Sequence, residues 1–258
     1  MVNYLKRYGD IKNTVRAGDF LQIDSFISPD FCGTDNHKRF TRNLQIQPPD
    51  WPWRNRKIKY SVNSTGYRCP EWDIIDWTES ILIFGCSQVF GIGVDDADTI
   101  SANLSRILST PVINLGAGGS SMQHAYFNAI QYHAAKRPRP KAVINLWTDI
   151  SRISYYKLHE LRFVGSWTIE QDDFFMAYNL HSTNAEINAI QVERASKIIW
   201  KNTPYFSAAM FDSTADALGL PNLVSVCGCE SDARDMSHIG PASTRKIAEY
   251  IAENFQFK

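Results

Sequence analysis

Apolar runs and amphipathic segments alternate from about residue 78 to the end of the chain. Short apolar runs bounded by turn residues predict strands at 80–84, 112–115, 142–147, 205–210 and 223–226. Apolar residues between these runs recur at helical spacing. This alternation is typical of a parallel sheet covered by helices on both faces. We therefore predict a three-layer α/β/α sandwich with a flavodoxin-like parallel sheet of about five strands.

Helical periodicity is clearest in four segments. Apolar residues share a face in 97–108, and a glycine-rich turn at 116–121 precedes a helix that reaches Ala135. Thr183 and Glu186 form the pattern of a capping box, before a helix in which Ile187, Ile190 and Ile198 share a face. Pro241 suits the first turn of the last helix. Its predicted inward stripe is Ile247, Ala248, Ile251, Ala252 and Phe255.

Two segments depart from this alternation. Residues 1–77 are rich in proline, tryptophan and polar side chains, and we expect them to form an irregular extension. We expect this extension to pack on the main domain, residues 78–258, or on a partner. Residues 151–182 are unusually aromatic. That composition is common in loops that wall a substrate cleft and equally common in a packed insertion, so both interpretations stand.

The charge balance limits the class of partner. Lysine plus arginine and aspartate plus glutamate each number 27, and a chain without net charge is not expected to bind nucleic acid. Residues 1–7 lack the apolar stretch of a signal peptide, and no segment approaches the ~18 apolar residues of a membrane span. The five cysteines form no paired framework, which fits a reducing compartment. We therefore expect a cytoplasmic protein.

Two short segments carry candidate chemistry. Gly85-Cys86-Ser87 follows the first predicted strand, and Asp235-Met236-Ser237-His238 precedes the last predicted helix. Ser87 would therefore lie at the carboxyl end of a strand, where open α/β sheets bind their ligands. A serine hydroxyl becomes an effective nucleophile when a histidine accepts its proton and a carboxylate orients that histidine. We predict a catalytic triad of Ser87, His238 and Asp235, although a serine alone at such a position is more often a turn residue.

Three blocks in this order, residues 83–93, 112–119 and 235–238, resemble the SGNH (GDSL-type) hydrolases. With a lead-in at 63–68, the resemblance spans roughly residues 63 to 255, which is most of the chain. It implies that Ser87 is the nucleophile and that Asp235 and His238 complete the triad. It also implies an oxyanion hole formed by the backbone amides of Ser87 and Gly119, and an ester hydrolysis that needs no cofactor and no metal.

The sequence departs from the family pattern at two places. Cys86 stands where the family has an aspartate before the nucleophile, which alters local hydrogen bonding but leaves the triad intact. The third block normally offers an asparagine amide to the oxyanion, whereas this chain has Leu146-Trp147-Thr148-Asp149. The Thr148 hydroxyl is the candidate donor there, and an ionised Asp149 would repel the oxyanion. Losing one donor lowers the rate by about 10²–10³-fold, so weak or specialised activity is one expectation.

Other chemistries fit the sequence less well. The glycines at 91–93 and 116–119 do not complete a dinucleotide-binding motif, because Asp96 and Ser121 occupy the last positions. Cys227-Gly228-Cys229 lacks the two-residue gap of a zinc site. Cys86 is a weaker nucleophile candidate, because neighbouring side chains on an extended turn point in different directions. We expect its thiol to be buried.

The sequence therefore predicts a serine esterase that forms an acyl-enzyme on Ser87. The expected partner is a small-molecule or glycan ester, with an O-acetylated carbohydrate favoured because the aromatic residues of 151–182 could stack on sugar rings. The alternative is a non-catalytic binding or structural module of a larger assembly, which keeps the SGNH fold while its altered third block removes the activity.

Overall fold

The computed structural model describes residues 18–23, 28–157, 160–168, 173–179 and 181–255. In this part of the chain, a parallel sheet of four strands has the spatial order β2-β1-β3-β6. Its strands are β1 (Ile81–Gly85), β2 (Val112–Gly116), β3 (Ala142–Trp147) and β6 (Tyr205–Ala209). The antiparallel strands β4 (Ile153–Lys157) and β5 (Glu160–Val164) form a separate pair.

Helices follow the strands of the sheet as the alternation predicted. They are α1 (His37–Ile46), α2 (Ser87–Phe90), α3 (Ile100–Leu108), α4 (Met122–Ala134), α5 (Asp173–Asn179), α6 (Ser182–Ile199), α7 (Asp212–Leu218), α8 (Leu223–Val226) and α9 (Pro241–Asn254). Short 3₁₀ helices lie at Pro52–Arg54, Trp72–Ile74, Asp96–Asp98 and Ser166–Thr168. Pro241 is the first residue of α9, as predicted, because a missing N–H is tolerated in the first turn.

Each face of the sheet is covered by its own apolar layer. Leu82 and Phe84 of β1 pack with side chains of α4 and α6, whereas Ile81 and Ile83 pack with side chains of α3 and α9. This division follows from the strand period of two, which sends alternate side chains to opposite faces. The predicted three-layer α/β/α fold is confirmed.

The predicted fifth strand is wrong, and the described sheet has four strands instead of about five. Residues Leu223–Val226 form the short helix α8, and only an isolated bridge joins Ala209 to Asn222. The Asn222 side chain accepts hydrogen bonds from the backbone N–H groups of Val224 and Ser225, a helix cap that asparagine favours. A four-residue apolar run is compatible with either structure, and the cap decides it.

The helix predicted after Thr183 begins at a different residue and buries a different face than predicted. Helix α6 begins at Ser182 with His181 as its N-cap, and no side chain caps it, so Thr183 lies inside the helix. Ile187 and Ile198 are exposed, while Ala185, Ala189 and Val192 are buried. Ala189 and Val192 belong to the apolar layer that covers this face of the sheet. In α9 the predicted stripe is confirmed at Ile247, Ala248 and Ile251.

The N-terminal segment, here residues 18–23 and 28–77, contacts the sheet domain over a long path. The backbone N–H of Gly18 donates to Gln131 Oε1 (2.7 Å), and that of Leu21 donates to Asn128 Oδ1 (2.9 Å). Further along, Trp53 Nε1 donates to the carbonyl of Asp232 (2.9 Å). The boundary predicted at residue 77 stays a prediction, and residues 1–17 lie outside the described part of the chain.

Among the described helices, none has the length and apolar character needed to cross a bilayer.

Candidate active site

Ser87 lies directly after the carboxyl end of β1, where the chain turns sharply into α2. Gly85 is the last residue of the strand, and a Cβ there would lie 2.4 Å from Val89 Cγ2 and 2.8 Å from the Leu146 carbonyl oxygen. The absence of a side chain at Gly85 therefore lets α2 fold back against the strand. Cys86 is the N-cap residue of α2, and its side chain makes no cap hydrogen bond. Its thiol is fully buried, as predicted. Ser87 is the first helical residue.

The structure brings the three predicted triad residues together. Nε2 of His238 lies 2.9 Å from Oγ of Ser87, and Nδ1 of His238 lies 2.7 Å from Oδ2 of Asp235. Because Nδ1 faces a carboxylate, the neutral imidazole carries its proton there and leaves Nε2 to accept from Ser87. Both interactions have normal hydrogen-bond lengths and lie in a largely buried site.

Both oxygens of Asp235 accept hydrogen bonds. Oδ1 accepts from the backbone N–H groups of Ser237 (3.1 Å) and His238 (3.2 Å). Oδ2 accepts from the Thr34 hydroxyl at 2.6 Å in addition to His238. Burial opposes ionisation of this carboxyl, but the contacts with His238 and Thr34 outweigh it and lower the pKa of Asp235. Asp235 is therefore ionised at neutral pH.

The loop that carries Asp235 and His238 is fixed at both ends. The N–H of Arg234 donates to the Gly93 carbonyl (3.0 Å), and the N–H of Ile239 donates to Gln88 Oε1 (3.1 Å). Between them, Met236 has a φ of 56°, a left-handed conformation that is uncommon for a side chain of its size. Such backbone strain is typical of functional loops held by surrounding contacts.

A buried ion pair connects this loop to the N-terminal segment. Nη2 of Arg234 lies 2.7 Å from Oδ2 of Asp35, and both side chains are almost fully buried. The Tyr60 hydroxyl donates to the same carboxylate (2.6 Å) and accepts from the N–H of Gly93 (2.7 Å). Since Arg234 directly precedes Asp235, the N-terminal segment contacts the triad loop at two neighbouring residues.

A cavity of about 440 Å³ opens beside Ser87 and His238. Its walls are largely apolar and aromatic, formed by Ile23, Phe90, Ile92, Phe163, Trp167 and Phe211. Polar lining groups include Thr34, Gln88, Arg152 and Ser237. Phe163 and Trp167 come from the aromatic segment 151–182, whereas Ile153, Val164 and Phe175 of that segment form a separate buried cluster. The segment thus contributes both to the cavity wall and to a packed cluster, and its contact with a substrate stays a prediction.

Cys32 also lines the cavity, but its thiol is a poor nucleophile. Burial, helped by the Asp35 carboxylate, raises the pKa of Cys32 to about 12. The protonated thiol is unreactive at neutral pH. Within the described residues, no group of three His, Cys, Asp or Glu side chains is arranged to hold a metal ion.

Two backbone N–H groups lie where an oxyanion hole is predicted. The N–H groups of Ser87 and Gly119 have no hydrogen-bond partner among the described residues, and both residues line the cavity. Gly119 has a φ of 72°, which favours glycine. A free N–H in the first turn of a helix is a natural site for a developing negative charge.

Thr148 and Asp149 are placed differently from Gly119. Thr148 follows β3, is 2% exposed and is not among the lining residues, and its Oγ1 has no partner in the described part of the chain. Burial opposes ionisation of Asp149, but hydrogen bonds from Ser151 and Ser213 outweigh it and lower the pKa of Asp149. The Thr148 contribution to the oxyanion hole stays a prediction.

Sequence reasoning missed several residues of the site. Thr34 and Asp35 lie in a segment without helical or strand periodicity, so no local pattern indicates their contacts with the distant triad loop. Arg152 was missed within the aromatic segment, although a cation among aromatic residues is a recognisable signal. Gln88 follows the nucleophile directly, and its position beside Ser87 was the available indication.

Comparisons with known proteins give similarity at the level of solved structures. No family model and no curated protein matches the chain. Similar solved chains include one described as a GDSL-like lipase from Bacteroides ovatus, with 17% identity, a TM-score of 0.35, and coverage of 70% of this chain and 56% of that one. Another is an acetyl xylan esterase from Butyrivibrio proteoclasticus, with 10% identity, a TM-score of 0.38, and coverage of 70% and 64%.

A third similar chain is a member of the lipolytic G-D-S-L family from Veillonella parvula, with 13% identity and a TM-score of 0.34. The match covers 97% of that chain and 68% of this chain. This chain thus spans 56% and 64% of the first two matches. The descriptions of all three chains name GDSL-type or esterase proteins.

Proposed function

We propose that this protein is a serine ester hydrolase that acts through an acyl-enzyme on Ser87. The observation that carries the proposal is the continuous hydrogen-bonded path from Ser87 Oγ to His238 and on to Asp235, with distances of 2.9 and 2.7 Å. This geometry supports the proposal, because nucleophilic catalysis needs a nucleophile, a base and a group that orients the base.

In the proposed acylation step, Ser87 Oγ attacks the ester carbonyl carbon while His238 Nε2 accepts the hydroxyl proton. The resulting imidazolium is stabilised by the Asp235 carboxylate, whose lowered pKa keeps it ionised. The tetrahedral intermediate then expels the alcohol, which takes the proton from His238. An acyl group remains on Ser87.

In the second step, His238 accepts a proton from water, and the resulting hydroxide attacks the acyl carbon. The carboxylic acid leaves and Ser87 recovers its proton from His238. In both steps the N–H groups of Ser87 and Gly119 would donate to the oxyanion, since they face no other described partner. Thr148 is the proposed third donor.

The cavity supports a small ester or an O-acetyl group on a carbohydrate as the substrate class. Its volume of about 440 Å³ is at the lower end of small-molecule sites. Trp167 lines it with 53% of its surface exposed, and an exposed indole face is a suitable platform for a sugar ring. We favour an O-acetylated carbohydrate for this reason.

The second candidate is a non-catalytic binding module with the same fold. One observation favours it: the family's asparagine is replaced by Thr148, whose side chain does not line the cavity. A site that lacks the third donor could bind an ester without turning it over.

A fluorophosphonate probe and 4-nitrophenyl acetate together test the proposal. We expect the wild type to hydrolyse the ester and to be labelled once, and Ser87→Ala to lose labelling and at least about 10³-fold in kcat. Ser225→Ala, at an exposed serine of α8, is the matched control and should behave as wild type. Labelling that persists in Ser87→Ala would indicate another nucleophile, and a wild type that neither turns over nor labels would support the binding module.

A further inference from the structure

Arg152 projects a cation into the wall of the active-site cavity. Its backbone N–H donates to the Asp149 carbonyl (3.2 Å) in the turn before β4, and its side chain lines the same cavity as Ser87 and His238. The guanidinium carbon lies 5.1 Å from the ring centroid of Trp167 and 5.0 Å from that of Phe211. These two aromatic rings hold the side chain in place through cation–π contacts.

The guanidinium makes no hydrogen bond and no ion pair within the described part of the chain, and its anionic neighbour is the Asp149 carboxylate, whose pKa its charge helps to lower. Asp149 is the neighbouring carboxylate, but its Oδ1 accepts from the N–H (2.8 Å) and hydroxyl of Ser151, and its Oδ2 accepts from the Ser213 hydroxyl (2.8 Å). The N–H donors of Arg152 are therefore available to a ligand.

The charge of the cavity also favours an anion. Among the described residues that line it, none is an aspartate or glutamate, and Arg152 is the one arginine or lysine. Asp149 is near Arg152 but does not line the cavity. In a largely apolar cavity, a cation that no carboxylate hydrogen-bonds stabilises a bound negative charge more strongly than it would in water.

From this geometry we infer that Arg152 binds a carboxylate on the substrate, so that the enzyme acts on esters of acidic compounds. The inference rests on the esterase function proposed above and narrows its substrate class. A planar guanidinium matches a carboxylate in a two-bonded geometry, and a single cation suits one negative charge better than the two of a phosphate. An acetylated sugar acid combines this charge with a ring that Trp167 can stack on.

The position of Trp167 relates this carboxylate site to the reacting centre. A Cβ placed on Gly119 would lie 3.4 Å from Cζ2 of Trp167, while the guanidinium of Arg152 lies over the same indole. One aromatic ring thus separates the proposed oxyanion donor from the carboxylate site. A substrate that reaches both would extend past this ring.

Matched esters test the inference. The first pair is 3-acetoxybenzoate and its neutral methyl ester, which place the charge on the alcohol side. The second pair is mono-4-nitrophenyl glutarate and neutral 4-nitrophenyl valerate, which place it on the acyl side. We expect the wild type to prefer the charged member of at least one pair in kcat/KM, and Arg152→Gln to reduce that preference ratio by about 10-fold or more.

Two further variants make the result specific. Arg152→Lys keeps the charge but loses the planar fork, so its preference ratio should lie between those of wild type and Arg152→Gln. Arg139→Gln removes one exposed positive charge just before β3. Arg139 lies near the amino ends of the strands, opposite the end that carries Ser87, so the substitution should leave the preference ratio unchanged. Higher salt should narrow the wild-type preference.

Failure of this inference is distinguishable from failure of the esterase proposal. A wild type without preference in either pair, or an Arg152→Gln enzyme that loses activity equally on both members, overturns the carboxylate site while the esterase stands. Binding of benzoate and benzamide to Ser87→Ala, followed by tryptophan fluorescence, needs no turnover. Benzoate that binds no better than benzamide there would also overturn the inference.

Discussion

The hydroxyl of Thr34 donates a hydrogen bond of 2.6 Å to Oδ2 of Asp235, the oxygen that also faces His238. The two residues are 201 positions apart in the sequence. The N-terminal segment therefore contributes a direct contact to the proposed acid of the triad. Thr34 also lines the cavity, so the same residue contacts both Asp235 and the proposed substrate space.

Thr34→Val should lower kcat by about 10-fold and change KM little. The substitution keeps the side-chain shape but removes a hydrogen bond that helps lower the pKa of Asp235, so the carboxylate is held and ionised less firmly. Steady-state kinetics with 4-nitrophenyl acetate, recorded as a pH profile, measure both parameters. Loss of this bond should raise the pKa of Asp235, so a limb of the profile that reports ionisation of this carboxyl should move to higher pH.

Thr34→Ser is the control for this positioning role. It restores the hydroxyl and should return kcat and the pH profile toward wild type. If Thr34→Val and Thr34→Ser both behave as wild type, the hydrogen bond to Asp235 has no catalytic consequence.

Asp35→Asn should destabilise the protein by about 3–5 kcal/mol. The substitution leaves the Arg234 guanidinium buried without its counter-charge, and an uncompensated buried charge is strongly unfavourable. Urea denaturation followed by tryptophan fluorescence gives the free energy of unfolding. Glu249→Gln is the matched control, because the Arg245–Glu249 pair is exposed and its loss should change stability by less than about 1 kcal/mol. Equal effects of the two substitutions would show that the N-terminal segment is not anchored through Arg234.

Stability should fall as the pH is lowered from about 6.5, because of His124. Burial lowers the pKa of His124 from 6.5 to about 3, and Oη of Tyr67 lies 3.3 Å from its Nε2. Between these two values the unfolded chain binds one proton more than the native state. The stabilisation is therefore complete above the unfolded pKa and is lost by about 1.4 kcal/mol per pH unit as the pH falls below it.

Thermal denaturation between pH 7 and pH 5 checks this slope. The unfolding free energy of His124→Phe should depend less steeply on pH than that of the wild type, by an amount that approaches one proton near pH 5. This difference should hold whatever the absolute stability of the variant. Partial burial lowers the pKa of His133 as well. Because much of its side chain remains exposed, His133→Gln should change the pH dependence of stability much less. A His124→Phe protein with the wild-type slope would show that the acid sensitivity arises elsewhere.

The fold and the proximity of Ser87, His238 and Asp235 could be predicted because local patterns carry them. The apolar runs that became β1, β2 and β3 are long enough to indicate buried strands, and Ser87 follows from the end of β1. Asp235 and His238 lie three positions apart in one loop, so their contact is local as well. In each case the sequence spacing and the spatial relationship coincide.

The rest depends on contacts that no local pattern encodes. Thr34 and Asp35 reach the triad loop across about two hundred residues of sequence, from a segment without periodicity. The run Leu223–Val226 fits a strand or a helix equally well, and the Asn222 cap determines the outcome. Arg152 gains its significance only when Trp167 and Phe211 lie on either side of it.

Thr148→Val tests whether the third oxyanion contact comes from the position where the family has asparagine. The Thr148 hydroxyl has no partner among the described residues, so its removal should leave the free energy of unfolding nearly unchanged. A change in rate then reports on catalysis alone. If the hydroxyl donates as charge develops on the oxygen, kcat should fall by about 10-fold with KM little changed. Thr148→Asn should hold or raise kcat, and an unaltered kcat in Thr148→Val would leave Ser87 and Gly119 as the donors.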